Sequence, residues 1–258
     1  MSTPAPAEAF QLDQYIMHHV LDGHHWNLPF FSLPLPFFLS VHALMVLMCA
    51  AFLIILCCFM YKRDTRFPKG VNNLLEVFVI FIRDQICIPA LGEHDGKKMT
   101  PLFCTFFFFI MGMNVMGLIP LFATATANVN VTAALASVTF GFMIIGSIYR
   151  NGFLGFLKCF VPSGVPLPVL FIIVPIEILG LLIKPFALTI RLWANMLAGH
   201  IVIFSFLGLV VLIGWAALPL VAIALFVNLL EVIIAFLQAF IFTFLSAIFI
   251  GQLQHAEH

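Results

Sequence analysis

Two apolar segments, about Val169 to Ile213 and Pro219 to Gln252, restrict the fold of this chain more than any other feature. A helix needs only ~20 apolar residues to cross a hydrocarbon core ~30 Å thick. Taken as one helix, the second segment would run about 50 Å, so it must tilt steeply, bend or break. A curved or cylindrical partner packed against it would give such a tilt a cause. Composition points the same way: 63% of the 258 residues are hydrophobic, 31 are Phe and only 9% are charged. The surface of such a chain faces lipid, and the expected fold class is an all-α integral membrane protein. Lys and Arg number 11 and Asp and Glu 11, a net charge of zero, which leaves no basic surface for nucleic acid.

The pattern predicts about five crossings and one interfacial helix, with residues 1–36 a polar outer-face segment, 37–252 a single transmembrane helical domain and 253–258 a tail. Residues 1–14 lack the basic-then-apolar pattern of a cleaved signal, so the first span, 37–61, is expected to remain as an anchor. No Lys or Arg occurs before residue 62, whereas Lys62, Arg63, Arg66 and Lys69 follow at once. The positive-inside rule then places the N-terminus outside. Residues 71–90 mix apolar positions with Glu76, Arg83 and Asp84 and read as an amphipathic helix lying in the inner interface. The polar run 92–98 stays inside, 101–122 crosses outward through Phe106 to Phe109, and 133–149 returns toward Arg150 and Lys158. The Pro- and Gly-containing stretch 161–168 cannot continue a helix. The last two spans, 169–213 and 219–252, are long and strongly tilted, with the C-terminus inside.

Within these spans stands a permanent charge. Arg191 cannot lose its proton at any accessible pH, and at membrane depth it costs at least ~3 kcal/mol. Its natural partner is a carboxylate. Glu177, Lys184 and Arg191 recur every seven residues, a spacing that drifts only ~20° on a helix, and Asn195 stands one turn further, so the four share a stripe. Pro185 is expected to kink this stripe locally, which loosens the alignment of Lys184 with Glu177. His200 lies nine residues past Arg191, about half a turn away in azimuth, and faces elsewhere. On the last span Asn228, Glu231 and Gln238 make a second stripe. Two polar stripes with a solitary arginine between them have the form of an ion path with a charged barrier. The residues alone also allow plainer readings. Arg191 would then pair with Glu177 or Glu231, Lys184 would snorkel to an interface, and Asn114, Asn195, Asn228 and Gln238 would bond between helices. A self-sufficient secondary transporter and a structural scaffold are the alternatives from other classes. The first should show internal repeats, and no second copy of either stripe is found; the second has no need of Arg191.

The run Arg191-Leu192-Trp193-Ala194-Asn195-Met196-Leu197-Ala198-Gly199-His200 resembles the signature of subunit a of the F-type ATP synthase. The stretch from Leu230 to Leu245, with Glu231 and Gln238, resembles that family's C-terminal motif, and Asn114-Val115-Met116-Gly117-Leu118-Ile119-Pro120 resembles its earlier spanning helix. The likeness covers roughly residues 37–252. It implies a proton-translocating stator subunit in the bilayer, beside a rotating c-subunit ring and together with peripheral-stalk b-subunits and the remaining synthase subunits. Two offset aqueous half-channels would load and unload the ring carboxylates. Arg191 would be the family's essential arginine, Asn195 would shape the ring contact, Gln238 would face the arginine, and Glu177 and Lys184 fall at polar positions upstream. His200 and Glu231 fill two ionisable positions that some relatives occupy in the opposite order. Some relatives also carry acids around Asn114, whereas Met99 to Tyr149 here contains none, which puts more weight on His200 and Glu231. The resemblance implies no cofactor and no enzymatic activity for this chain alone. No phosphate-cradling Gly-rich loop is present, so nucleotide chemistry falls to other subunits. The implied location is a bacterial inner membrane, with an organelle inner membrane as the alternative.

Cys49, Cys57, Cys58, Cys87, Cys104 and Cys159 lie mostly in or beside apolar runs without metal-ligand spacing and count as small hydrophobes. His18, His19, Asp22, His24 and His25 have the residue types of a metal site, and equally those of a polar collar at a membrane boundary. No metal site is assigned.

Overall fold

The computed structural model describes residues 25–28, 31–34, 40–60, 70–119, 122–161, 166–213 and 218–254. The basic cluster of Lys62, Arg63, Arg66 and Lys69, the residues His18, His19, Asp22 and His24, residues 162–165 of the break at 161–168 and the tail beyond residue 254 lie outside them.

At membrane depth there is no water to serve backbone N–H and C=O groups, so the chain must bond to itself, and a helix does so within one segment. The described residues form α1 (Val41–Met60), α2 (Val71–Phe81), α3 (Ile88–Leu91), α4 (Glu93–Gly117), α5 (Val129–Lys158), α6 (Leu167–Ile213) and α7 (Leu218–Gln254). Five of these, α1, α4, α5, α6 and α7, are long and apolar enough to cross a membrane. Large apolar side chains point outward, Phe171 at 85% exposure among them, as fits a surface solvated by lipid. The protein is therefore a helical multi-pass membrane protein. A short antiparallel hairpin, β1 (His25–Leu28) with β2 (Phe31–Pro34), precedes α1 and pairs Trp26 with Leu33.

Local sequence accounts for the irregularities. Between α2 and α3 the backbone widens into a π-helical stretch, Ile82–Cys87, where the Ile88 N–H reaches back to the Arg83 carbonyl. Pro89 supplies the reason: it has no N–H, and in a regular helix its ring would crowd the Gln85 carbonyl. On this stretch Arg83 Nε donates to Asp84 Oδ1 at 2.7 Å, and that hydrogen bond holds the Asp84 carboxyl below the usual carboxylate range. α4 begins ahead of the apolar stretch from Pro101 because Glu93 and Asp95 occupy its first turn, where the helix end is partially positive. Lys97 donates to Glu93 Oε1 at 2.7 Å, one turn along. α5 breaks at Gly152, whose φ of 72° and ψ of 169° are essentially reserved for glycine. α6 carries Pro175 and Pro185 in its interior.

The chain divides into two compact units. One comprises 1–53, 109–131 and 191–238 and buries Met45, Cys49, Ile110, Met113, Leu192 and Met196. In it the Cys49 thiol donates to the Phe109 carbonyl at 3.7 Å. Gly112 makes room for that thiol, since a Cβ there would stand 2.9 Å from the sulfur. The other unit comprises 54–108, 132–190 and 239–258. It is held by aromatic contacts, with ring centroids of Phe78 and Phe107 5.6 Å apart, Phe81 and Phe240 5.8 Å, and Phe106 and Phe242 5.9 Å, all within the favourable range for aromatic pairs. Its polar groups meet in pairs: the Thr139 and Ser246 hydroxyls at 3.2 Å, Ser147 Oγ donating to the Leu253 carbonyl at 3.0 Å, and Arg150 with Asp95.

Gly251 lets the backbone of α7 meet the Ala90 carbonyl, because a Cβ at 251 would overlap that oxygen. Gly251→Ala is therefore expected to cost about 1–3 kcal/mol through overpacking and to lower the melting midpoint of the detergent-solubilised protein. Gly141→Ala is the control, since a Cβ at 141 meets nothing within 4 Å. Equal melting shifts in the two variants would show that the close approach at Gly251 is not limiting.

Candidate functional site

One imidazole gathers groups from several segments of the first unit. His200 lies on α6, a turn beyond Met196, and its Nδ1 stands 3.0 Å from the Met196 carbonyl. The same nitrogen is 3.1 Å from Glu231 Oε1 on α7. On the opposite edge of the ring, Nε2 is 3.0 Å from the Gly117 carbonyl at the end of α4 and 2.5 Å from Thr124 Oγ1 in the following turn. The Glu231 side chain is 3% exposed and that of His200 15%, so the pair sits out of bulk solvent. Neither Glu231 oxygen has a hydrogen bond of good geometry among the described residues. An under-bonded buried carboxylate is costly, which makes this pair an unusual feature for a purely structural core.

Glycines set the distances. A Cβ on Gly199 would overlap Glu231 Oε1, and a Cβ on Gly117 would come within 2.7 Å of Thr124 Cγ2. Only a residue without a side chain lets the carboxylate on one edge, and the hydroxyl on the other, reach the ring.

The chemistry follows from donors and acceptors. The Met196 and Gly117 carbonyls can only accept, so an imidazolium satisfies both. A neutral ring leaves one lone pair facing a carbonyl, unless the Thr124 hydroxyl turns to donate to it. The cluster thus accommodates a proton arriving at or leaving His200, with Glu231 beside it as an alternative proton carrier.

The remaining sequence-derived positions are distributed as follows. Asn114 is fully buried; its Nδ2 donates to the Ala235 carbonyl at 3.2 Å, while Oδ1 has no partner among the described residues. Arg191 is partly buried, and its Nη1 is buried without a partner among the described residues. Gln238 is buried, Asn195 and Glu177 are exposed, and Asn228 borders an open depression of about 620 Å³ with Leu225, Phe226 and Val232. In the second unit Lys184 donates to Gln252 Oε1 at 3.0 Å and stands 5.4 Å from the centroid of the Phe249 ring. Sequence reasoning missed Thr124, Gly117 and Gly199. The available signal was the threonine-rich turn Thr124-Ala125-Thr126 just beyond the Asn114 motif.

Gly199→Ala is expected to destabilise the protein by about 1–3 kcal/mol when Glu231 is present and by much less in a Glu231→Ala background. The reason is that the three atoms nearest to such a Cβ are in the Glu231 side chain. Melting midpoints of the four proteins in a double-mutant cycle check this. Equal losses in both backgrounds would place the strain elsewhere.

The sequence matches the family described as ATP synthase A chain over residues 43–251. It is 44% identical to an ATP synthase subunit a of Chloroherpeton thalassium, across 94% of this chain and 77% of that protein. It is 43% identical to an ATP synthase subunit a of Anaeromyxobacter dehalogenans, across 81% of this chain and 56% of the relative. A third, from Chlorobium phaeobacteroides, is 41% identical across 92% and 74%. The chain thus spans about three quarters of the first and third relatives and little more than half of the second. The matched region enters all five helices able to cross a membrane and contains His200, Glu231 and Arg191, and the chain belongs to the ATP synthase A chain family.

Proposed function

We propose that this chain is the proton-translocating stator subunit of a rotary F-type ATP synthase. Two offset aqueous half-channels load and unload the carboxylates of a c-subunit ring, and Arg191 prevents a direct proton leak between them. The observation that carries the proposal is the buried His200 and Glu231 pair, 3.1 Å apart. Imidazole is the side chain whose ordinary titration falls in the physiological range, and the neighbouring carboxylate can take over the proton it releases. Gln238, Asn195, Asn228, Asn114, Glu177 and Lys184 are the remaining polar positions of the path. The chain needs no cofactor and no nucleotide for this work, and its partners are the ring, the peripheral-stalk b-subunits and the other synthase subunits. Its place is a bacterial inner membrane, with the N-terminus outside.

The role of Arg191 follows from energetics. A proton crossing 100 mV releases about 2.3 kcal/mol, and that energy becomes rotation only if the proton cannot pass straight through. A fixed guanidinium repels hydronium at the junction. The Arg191 side chain as a whole is only partly buried, so the accessible part of its fork suits a carboxylate presented by the ring, whose ionised form it would stabilise. Arg191→Ala is accordingly expected to abolish coupled ATP synthesis while the complex still assembles, with Arg191→Lys giving incomplete rescue because an ammonium lacks the planar fork. ATP-synthesis rates in assembled complexes check this, and normal rates in the alanine variant would rule out the barrier role.

The pair is tested by exchange. His200→Ala and Glu231→Ala should each slow ATP-driven proton pumping severely, whereas His200→Glu combined with Glu231→His should retain partial function. Full function is not expected, since a carboxylate at position 200 would face the Met196 and Gly117 carbonyls, neither of which can donate. Single losses that simply add, with the exchanged variant as inactive as the worse single one, would show that the two residues do not act as a unit.

A further inference from the structure

The Thr124 hydroxyl faces the one ring nitrogen of His200 that the Glu231 pairing leaves over. Oγ1 stands 2.5 Å from Nε2 and 3.3 Å from the Gly117 carbonyl, and that carbonyl is itself 3.0 Å from Nε2. Thr124 is buried, in a turn whose position the absence of a Gly117 side chain permits. Three groups therefore lie within reach of one another, and only the hydroxyl both donates and accepts.

We propose that Thr124 is a positioning residue for His200, a rotating hydroxyl that selects the tautomer of the neutral ring and lets that ring switch charge. The proposal deepens the proton-path function above and rests on it. With a neutral ring, the Nδ1 proton points toward the Met196 carbonyl and Glu231. The Nε2 lone pair would then face the Gly117 carbonyl, and the Thr124 O–H relieves this by donating to Nε2. When a proton binds Nε2, the hydroxyl turns: Oγ1 accepts from Nε2–H and its own proton swings to the Gly117 carbonyl. Thr124 neither gains nor loses a proton, and every donor keeps an acceptor in both states. With Glu231 ionised, the opposite neutral tautomer has no such support, because the lone pair on Nδ1 would face two acceptors, the Met196 carbonyl at 3.0 Å and Glu231 Oε1 at 3.1 Å.

The test uses the assembled synthase carrying this full chain with 15N-labelled histidine. The His200 signals, identified by their loss in a His200→Gln variant, report which ring nitrogen holds the proton. The neutral ring of the unmodified protein is expected to carry its proton on Nδ1. Thr124→Val, which keeps the shape and removes the hydroxyl, should abolish that preference and slow ATP-driven proton pumping about two- to tenfold, the effect of losing one hydrogen bond in one state. Thr124→Ser should restore both. Thr124→Ala carries the same test should valine fail to assemble. A neutral ring protonated on Nε2 in the unmodified protein, or an unchanged tautomer in the variants lacking the hydroxyl, overturns the proposal. The two levels separate cleanly: normal pumping in His200→Gln would overturn the proton-path function, while the nitrogen signals would still decide whether Thr124 sets the tautomer.

Discussion

Lipid as solvent is the constraint on which the rest of this structure depends. A polar group that water would serve for nothing must here find a partner within the protein, and the hydroxyl side chains show how strictly this is met. Thr100 donates to the Gly96 carbonyl at 2.7 Å, Thr189 to Pro185 at 3.0 Å, Ser205 to Ile201 at 2.6 Å and Thr243 to Ala239 at 2.8 Å. Each folds back onto its own helix, so a polar side chain is carried through an apolar layer without asking anything of a neighbour. Since lipid and leucine are equally apolar, close contact between helices must come instead from shape and small residues. Gly112, Gly199 and Gly251 supply it, each where a Cβ would collide with an atom of another helix, and Gly117 does the same for the turn that follows α4.

Against that economy the exceptions carry information. Both Glu231 oxygens, Arg191 Nη1, Asn114 Oδ1 and Thr126 Oγ1 are buried without a hydrogen bond among the described residues. Each such group costs about 1–3 kcal/mol, more when charged. All of them belong to the same compact unit, the one that also holds His200. A fold that satisfies hydroxyls such as Thr139, Ser147 and Thr243, yet leaves this set open, has acceptors and donors to offer a species that arrives and leaves. A proton is the smallest species that fits that description.

The membrane character and helical class were legible because they depend on composition and on the length of apolar runs, both sums over many residues. The partnership of His200 with Glu231 was legible through a motif and not through spacing, for spacing says only which face of its own helix each residue occupies. Other features depend on single atoms in contact across distant segments, and periodicity carries no trace of them. The π-helical stretch ahead of Pro89, the start of α4 at Glu93 and the break at Gly152 have local causes that sequence does contain, in a proline, two acids and a glycine. Thr124 was marked only by the threonine-rich turn that carries it, and its contact with the imidazole exists because the turn after Gly117 brings it there. Burial was likewise hidden: Glu231 and Gln238 of one stripe are buried, whereas Glu177 and Asn195 of the other are exposed.

Two cations on α6 show why position alone does not make a functional charge. Lys184 has what an ammonium needs nearby: the Gln252 amide oxygen at 3.0 Å and the face of Phe249 at 5.4 Å, the latter a favourable seat for a cation. These two contacts seat its charge within the second unit. Arg191 is different in kind. It cannot shed its charge, it keeps a buried nitrogen without a partner among the described residues, and its planar fork is built to take a carboxylate with two parallel bonds. A permanent charge with an unsatisfied nitrogen is what a carboxylate neutralises best, and that, not the number of polar residues along the helix, sets Arg191 apart from Lys184.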